Sequence, residues 1–175
     1  LDLTGSFGTA GNAIEIDVDD GTSGSVGGGL FIQDFASFRL DGDLTVTGLA
    51  EIFASRAITS DAGATLIAVN VVIESNQLAI GSQSQAFDIL VGAPGTLTAK
   101  ALTQIWLSSA GAVAVQSMTS ANIISTVFVG ALTKARSDDL TAVVTARARL
   151  KADSIGTSSK RLVMNVDNLA VETAG

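Results

Sequence analysis

The chain has 175 residues, which is enough for one sizeable core and too few for two ordinary domains. It contains no His, Cys or Tyr, so the commonest general base, the thiol nucleophile, the best zinc ligands and any disulfide are excluded. A net charge of −7 argues against nucleic acid as a partner, and the longest apolar stretch, near residues 62–73, is shorter than the ~20 residues that span a bilayer.

The first predicted strand lies near residues 12–18, within SFGTAGNAIEIDV (residues 6–18). Ile14, Ile16 and Val18 alternate there with polar residues, which is typical of a strand with one buried face. Clusters of Val, Ile, Leu, Phe and Thr between Gly, Ser, Asp and Asn turns predict further strands near 29–33, 37–40, 43–49, 51–54 and 65–74. Equivalent strands are expected one repeat length further along the chain.

Two later segments repeat the shape of the first: AIGSQSQAFDILV (residues 79–91) and SIGTSSKRLVMNV (residues 154–166). Gly8, Gly81 and Gly156 align at nearly equal spacings, and the alternating apolar positions align without gaps. The polar letters between them change freely. This pattern predicts a compound repeat of about 74 residues, with units at 7–79, 80–154 and a partial 155–175, in a single domain over 1–175.

Helix competes with strand only in DDLTAVVTARARLKAD (residues 138–153), where good helix formers follow two Asp residues. Its counterpart in the preceding unit, IAVNVVIES (residues 67–75), is rich in β-branched residues. A strand is therefore predicted in both places. In the later strand, the inward residues would be Val144, Ala146, Ala148 and Leu150, and the outward ones Arg147, Arg149 and Lys151.

These elements predict an all-β fold, a parallel β-helix (β-solenoid) of roughly eight or nine coils. Each coil would take roughly 18–25 residues, and its apolar face would be buried only by stacking on its neighbours. At ~4.8 Å between stacked strands, the rod would be on the order of 40 Å long. The chain has no initiator Met and no visible cap at its end, so it is expected to be a processed product or a piece of a longer protein.

The stretches GTAGNAIEIDV…GGLFI, IGSQSQAFDILV…QIWLS and IGTSSKRLVMNVDNLAV resemble the coils of filamentous haemagglutinin-type β-helical adhesins and related giant bacterial surface proteins. The resemblance implies a right-handed parallel β-helix that folds outside the cell. It also implies a non-catalytic, structural or adhesive segment of a long extracellular fibre on the bacterial cell surface. The partners would be host or bacterial surface glycans or proteins, or copies of the chain itself. The long compound period departs from the family's regular one-coil repeat.

No cofactor is expected, although Asp17, Asp19 and Asp20 have the carboxylate density of a calcium loop. The calcium-loop pattern would need another acidic ligand near residue 28, where Gly28 stands, so a solvated turn is favoured. The glycines of GTSGSVGGG (residues 21–29) are interpreted as a mobile loop, because no Lys-Ser or Lys-Thr of a phosphate loop follows them.

Arg147, Arg149 and Lys151 form the candidate binding face. Such an outward basic row could hold a carboxylated sugar or the acids of a neighbouring subunit, whereas in the simpler interpretation it only discourages aggregation.

Two alternative functions remain. A polysaccharide-active β-helix enzyme would use Asp138, Asp139, Arg147 and Arg149. Such enzymes tend to carry aromatic sugar platforms, whereas this chain has one Trp and no Tyr. Trp106 would face outward between Ile105 and Leu107, or inward if the register is shifted by one residue. A self-assembling fibre or sheath subunit is the other alternative. The sequence favours a protein that is not an enzyme.

Overall fold

A computed structural model of the protein describes residues 1–16, 21–138 and 140–173. These residues form sixteen strands, every pairing between strands is parallel, and no helix of this part of the chain could cross a membrane. The strands are β1 (Asp2–Leu3), β2 (Ile14–Ile16), β3 (Thr22–Val26), β4 (Leu30–Asp34), β5 (Phe38–Ala54), β6 (Ile58–Ser60), β7 (Thr65–Ser75), β8 (Phe87–Val91), β9 (Leu97–Ala101), β10 (Gln104–Ser109), β11 (Val113–Thr119), β12 (Ile123–Phe128), β13 (Ala131–Lys134), β14 (Val143–Ala152), β15 (Ser154–Ile155) and β16 (Met164–Thr173).

The chain winds into a parallel β-solenoid of about eight turns, because positions one winding apart pair side by side. One column of paired inward residues passes through all the windings and is called the first column. It consists of Ile14, Ile32, Ile52, Ile73, Ala99, Met118, Val143 and Met164. Successive members are 18 to 26 residues apart, close to the predicted coil length of roughly 18–25 residues. Seven steps of ~4.8 Å give a stack roughly 34 Å long.

A second column lines another face of the same tube and completes its aliphatic interior. It consists of Phe38, Ile58, Ile80, Ile105, Ile124, Ala148 and Leu169. All of these side chains except the last are buried. Full burial of each large aliphatic or aromatic side chain contributes about 1.5–3 kcal/mol, so these columns supply the main stabilisation of the fold. The predicted parallel solenoid with stacked aliphatic residues is confirmed.

Strand β14 turns a corner of the solenoid, and this changes which residues face inward. Its first residues pair with β11, whereas the segment from Arg147 onward pairs with β12. Val143 and Thr145 are buried before the corner, and the alternation is interrupted at Ala146. The prediction that Val144 faces inward is therefore wrong, since this residue is exposed. Beyond the corner the predicted phase is correct, and the three basic residues face outward.

The three similar segments are outward loops inserted into strands. Ile80 pairs with Ile105 and Phe87 pairs with Leu107, so the whole loop at residues 81–86 lies beside the single residue Trp106 of the next winding. The first segment has the same construction. Phe7 pairs with Leu30 and Ile14 pairs with Ile32, so residues 8–13 also lie beside one residue.

The three loops share one local geometry. Each begins with a glycine at positive φ: 77° at Gly8, 63° at Gly81 and 69° at Gly156. A turn follows, closed by a backbone hydrogen bond from the N–H of residue 9, 82 or 157 to the carbonyl three positions later. Only glycine adopts this φ without a steric penalty, which explains why it is the constant letter in these segments.

The repeat spacing seen in the sequence relates positions on different faces of the solenoid. Leu30 lies on the strand that carries the first column, whereas its counterpart Ile105 belongs to the second column. The interior pattern also diverges, because Ile52 is buried and its counterpart Val127 is exposed. The unit that stacks is therefore the single winding, and the similarity of the three segments reflects the shared loop geometry.

Part of the glycine-rich stretch at residues 21–29, predicted as a mobile loop, is strand β3, and this prediction is wrong. The strand pairs with β1 on one side and β5 on the other. Its glycines allow close packing of backbones: a Cβ on Gly24 would lie 1.6 Å from the Leu1 carbonyl oxygen. Hydrogen bonds from both neighbours order a segment that has few side chains to bury.

Candidate functional site

The predicted basic row lies on the outward face of β14. Arg147, Arg149 and Lys151 are all exposed, and residues two apart on a strand are about 6.6 Å apart. Strands β12 and β16 flank β14 on either side, so each basic residue has a fixed neighbour in the windings below and above. Arg149, for example, lies between Ser125 and Ala170.

Lys151 differs from the two arginines because its charge is already paired. Its Nζ lies 2.5 Å from Oε1 of Glu172 in the next winding. This hydrogen bond, together with the lysine charge, lowers the pKa of the Glu172 carboxyl, and the charge of Arg149 adds to the effect. Lys151 therefore joins two windings and contributes little to an open binding surface.

Arg147 and Arg149 have no carboxylate within 4.0 Å among the residues that the structure describes. Both border a shallow depression of about 290 Å³. The depression is otherwise lined by neutral residues: Ile123, Ala148, Asn168, Leu169 and Ala170. A guanidinium offers several donors in a planar fork that matches a carboxylate or sulfate group, so this pair of arginines can hold an anion.

Among the candidate enzymatic residues that the structure describes, Asp138 does not share a depression with Arg147 and Arg149. Asp138 borders another depression, with Ser137, Ser158, Ser159 and Arg161, and shares none of the residues around the two arginines. Its Oδ1 lies 2.6 Å from Nζ of Lys134, and hydrogen bonding to that amine lowers the pKa of the Asp138 carboxyl. A carboxyl held ionised is unsuited to act as a general acid. Asp139 lies outside the described residues.

Lys134 is a buried charge that the sequence interpretation missed. The residue is only 2% exposed, and it pairs with Val115 in the neighbouring winding. The sequence does hold a signal, because Lys134 is two positions after the buried Leu132 and therefore shares its inward phase. Its amine also donates a hydrogen bond to the Asp138 backbone carbonyl, so the buried charge is compensated.

The weak calcium candidates Asp17, Asp19 and Asp20 lie outside the described residues. Within the described ranges, no group of three or more Asp or Glu side chains is placed to hold a metal ion. Some carboxylates pair instead with cations of a neighbouring winding. Arg39 and Asp61 form a two-point contact, with Nε–Oδ1 at 2.9 Å and Nη2–Oδ2 at 2.6 Å.

Trp106 faces outward between the buried Ile105 and Leu107, as predicted. It is only partly exposed, because the loop at residues 81–86 lies beside it, and its Nε1 donates a hydrogen bond to Oε1 of Gln104 at 3.0 Å. The ring is therefore part of a packed corner of the surface. It offers no open platform for stacking a sugar.

The resemblance to filamentous haemagglutinin-type adhesins implies a parallel β-solenoid, and the structure has this architecture. Solenoids of this kind carry several unrelated functions, so the architecture alone identifies no family. Comparisons with models of protein families, with curated proteins and with solved structures give no match for this chain.

Proposed function

We propose that this chain is a structural and adhesive segment of a long extracellular bacterial surface fibre, with no catalytic role. The observation that carries the proposal is the pair of aliphatic columns, which pass through successive windings without interruption. Stability in such a stack is a sum of similar contributions from each winding. A rod of this kind extends by adding windings and leaves its outward side chains free to vary.

Polar contacts between windings support the same role. Arg39–Asp61, Glu74–Lys100 and Lys151–Glu172 each join outward side chains of adjacent windings. They lie on the outside of the tube, where surface ion pairs act on local geometry more than on total stability. These contacts hold neighbouring windings in register.

The depression beside Arg147 and Arg149 supports the adhesive part of the proposal. Its two guanidinium groups are exposed and the rest of its lining is neutral, so an acidic glycan would bring negative charge into the depression. Repeating carboxylates or sulfates along a polysaccharide would let the same chain contact the face more than once. Binding of this type weakens as salt screens the charges.

The test of adhesion compares two double variants that remove the same charge. Arg147→Ser/Arg149→Ser removes the proposed contact, and Arg56→Ser/Arg161→Ser removes two exposed arginines elsewhere on the surface. Calorimetric titration with heparin and with polygalacturonate should show at least about a tenfold loss of affinity for the first variant and less than about twofold for the second. An equal loss in both variants would mean that only net charge attracts the polysaccharide, and the proposed site would be rejected.

Two further measurements test the rest of the proposal. Prolonged incubation with either polysaccharide should produce no new reducing ends, and their appearance would show an enzyme. Antibodies against the chain should label intact cells of the source bacterium. Labelling that needs permeabilised cells would contradict the extracellular location.

A further inference from the structure

Three cations share the outward face of β14, and the chain itself pairs one of them. Arg147, Arg149 and Lys151 alternate along the strand, so neighbouring Cα atoms are about 6.6 Å apart and the row spans about 13 Å. Among the described residues, no carboxylate lies within 4.0 Å of either arginine, whereas Nζ of Lys151 lies 2.5 Å from Oε1 of Glu172. Glu172 therefore gives the third cation the anion that a bound polysaccharide would bring to the other two.

The pair between Lys151 and Glu172 lies at the surface and can open. The Lys151 side chain is 50% exposed and the Glu172 side chain is 57% exposed. An ion pair in this position is weak, because water screens its charges and two long side chains must be held in one geometry. A carboxylate or sulfate of a ligand could therefore reach Lys151, but it would have to compete with Glu172 for the amine.

Glu172 also acts on the nearer arginine. The charge of Arg149 contributes to the low pKa of the Glu172 carboxyl, so these two charges interact. Arg149 pairs across the windings with Ala170, two positions before Glu172 on β16. An anionic group that extends from Arg149 towards Lys151 therefore approaches a like charge, which disfavours its binding. Towards Arg147, the lining of the depression is neutral.

From this arrangement we infer that Glu172 is a specificity-determining residue of the proposed polysaccharide face. It occupies Lys151 and limits the face to two cations, so the face favours a ligand with two neighbouring anionic groups and gains little from a third. The inference rests on the proposed function, because it concerns the ligands of the same arginines. Glu172 acts here through Lys151 and by repulsion, and it does not contact the ligand.

The experiment removes the charge of Glu172 and keeps its shape, with Glu172→Gln. The matched control is Glu74→Gln, since Glu74 holds Lys100 of the adjacent winding in the same way, with Nζ and Oε1 2.5 Å apart, on the face formed by β7 and β9. Both variants change the net charge equally, and thermal unfolding checks that both are folded. Calorimetric titration with heparin at several salt concentrations gives the affinity and its salt dependence, which becomes steeper with each cation that the polyanion contacts.

Glu172→Gln should bind heparin about two- to fivefold more tightly than the unmodified chain, because one exposed cation joins the site. The slope of log affinity against log salt should steepen by about one ion. Glu74→Gln should bind as the unmodified chain does. The double variant Glu172→Gln/Lys151→Met should lose the steeper slope, since it has no third cation to offer.

Two results would overturn the inference. One is an affinity of Glu172→Gln no higher than that of the unmodified chain, which would leave Glu172 with a structural role only. The other is an equal gain in Glu74→Gln, which would trace the effect to net charge. Neither result changes the loss expected in Arg147→Ser/Arg149→Ser, so the proposed function would stand. A chain that binds no polysaccharide, even as Glu172→Gln, would reject both the adhesive function and this inference.

Discussion

Replacement of Thr126 by valine should make the protein more stable. Thr126 faces into the tube on β12 and is fully buried, between Leu107 and Leu150 of the adjacent windings. Its Oγ1 has no hydrogen-bond partner among the described residues. On folding, this hydroxyl loses its hydrogen bonds to water and forms none with the described residues.

The size of the effect follows from this geometry. Leaving a buried hydroxyl without a partner costs about 1–3 kcal/mol. Valine has nearly the same shape as threonine, so Thr126→Val removes this penalty without opening a cavity. We expect the free energy of unfolding to rise by about 1–3 kcal/mol, with each kcal/mol raising Tm by about 2–4 °C in a chain of this size.

Urea and thermal unfolding of Thr126→Val and of a matched control, Thr145→Val, measure this difference. Thr145 is also buried, but its Oγ1 lies 3.1 Å from Oγ of Ser120, with which it shares a hydrogen bond. Loss of this hydrogen bond in Thr145→Val should destabilise the protein by about 0.5–1.5 kcal/mol. A Thr126→Val protein that is no more stable than the unmodified chain would refute the reasoning.

Three further outcomes are expected. Ile105→Ala should lower the free energy of unfolding by about 2–5 kcal/mol, since it opens a cavity in the second column, and urea unfolding tests this. Gly81→Ala should destabilise the protein more than Gly63→Ala. At both positions an alanine at positive φ costs about 1–2 kcal/mol, but only at Gly81 would the new Cβ also lie 2.3 Å from a backbone oxygen. In Lys151→Met, an NMR titration should show the Glu172 pKa rising towards its ordinary value. Because the pKa of Glu172 is lower in the folded than in the unfolded protein, the ion pair stabilises the protein above the unfolded pKa. This stabilisation is lost as the pH falls through the folded pKa. An unchanged Glu172 titration in Lys151→Met would exclude the ion pair.

Strand positions and the inward or outward direction of side chains were largely predictable from period-2 alternation. The alternation placed Ile105, Trp106 and Leu107 correctly, because each strand has one face in the tube. It failed at Val144, because a corner changes the phase by one residue. A local pattern holds no information on where a strand bends, since the windings on either side decide that.

The three similar segments show another limit of the sequence. Their glycines mark a shared loop geometry, which is local and can therefore be read from a few letters. Their place on the solenoid depends on the lengths of all intervening windings, and these lengths differ from one winding to the next. The formation of strand β3 likewise depends on its pairing with β1 and β5, because a glycine-rich segment has few side chains whose alternation could predict a strand.

The candidate binding face was predicted as a row of three equivalent cations, and the structure divides it. Outward alternation on one strand is enough to place Arg147, Arg149 and Lys151 together. The pairing of Lys151 with Glu172 depends on the register between β14 and β16, which belong to different windings. Two arginines therefore stay open, and this distinction needs the three-dimensional arrangement.

The direction of the hydrogen bonds between windings has a consequence for a chain that is pulled at its two ends. These bonds run along the axis of the solenoid, so tension applied at the ends breaks them one winding at a time, starting from the end. Each layer that detaches frees about 20 residues, or roughly 70 Å of slack at ~3.4 Å per residue. Under load the segment would lengthen in steps, and each step would dissipate part of a sudden force while the remaining windings stay folded.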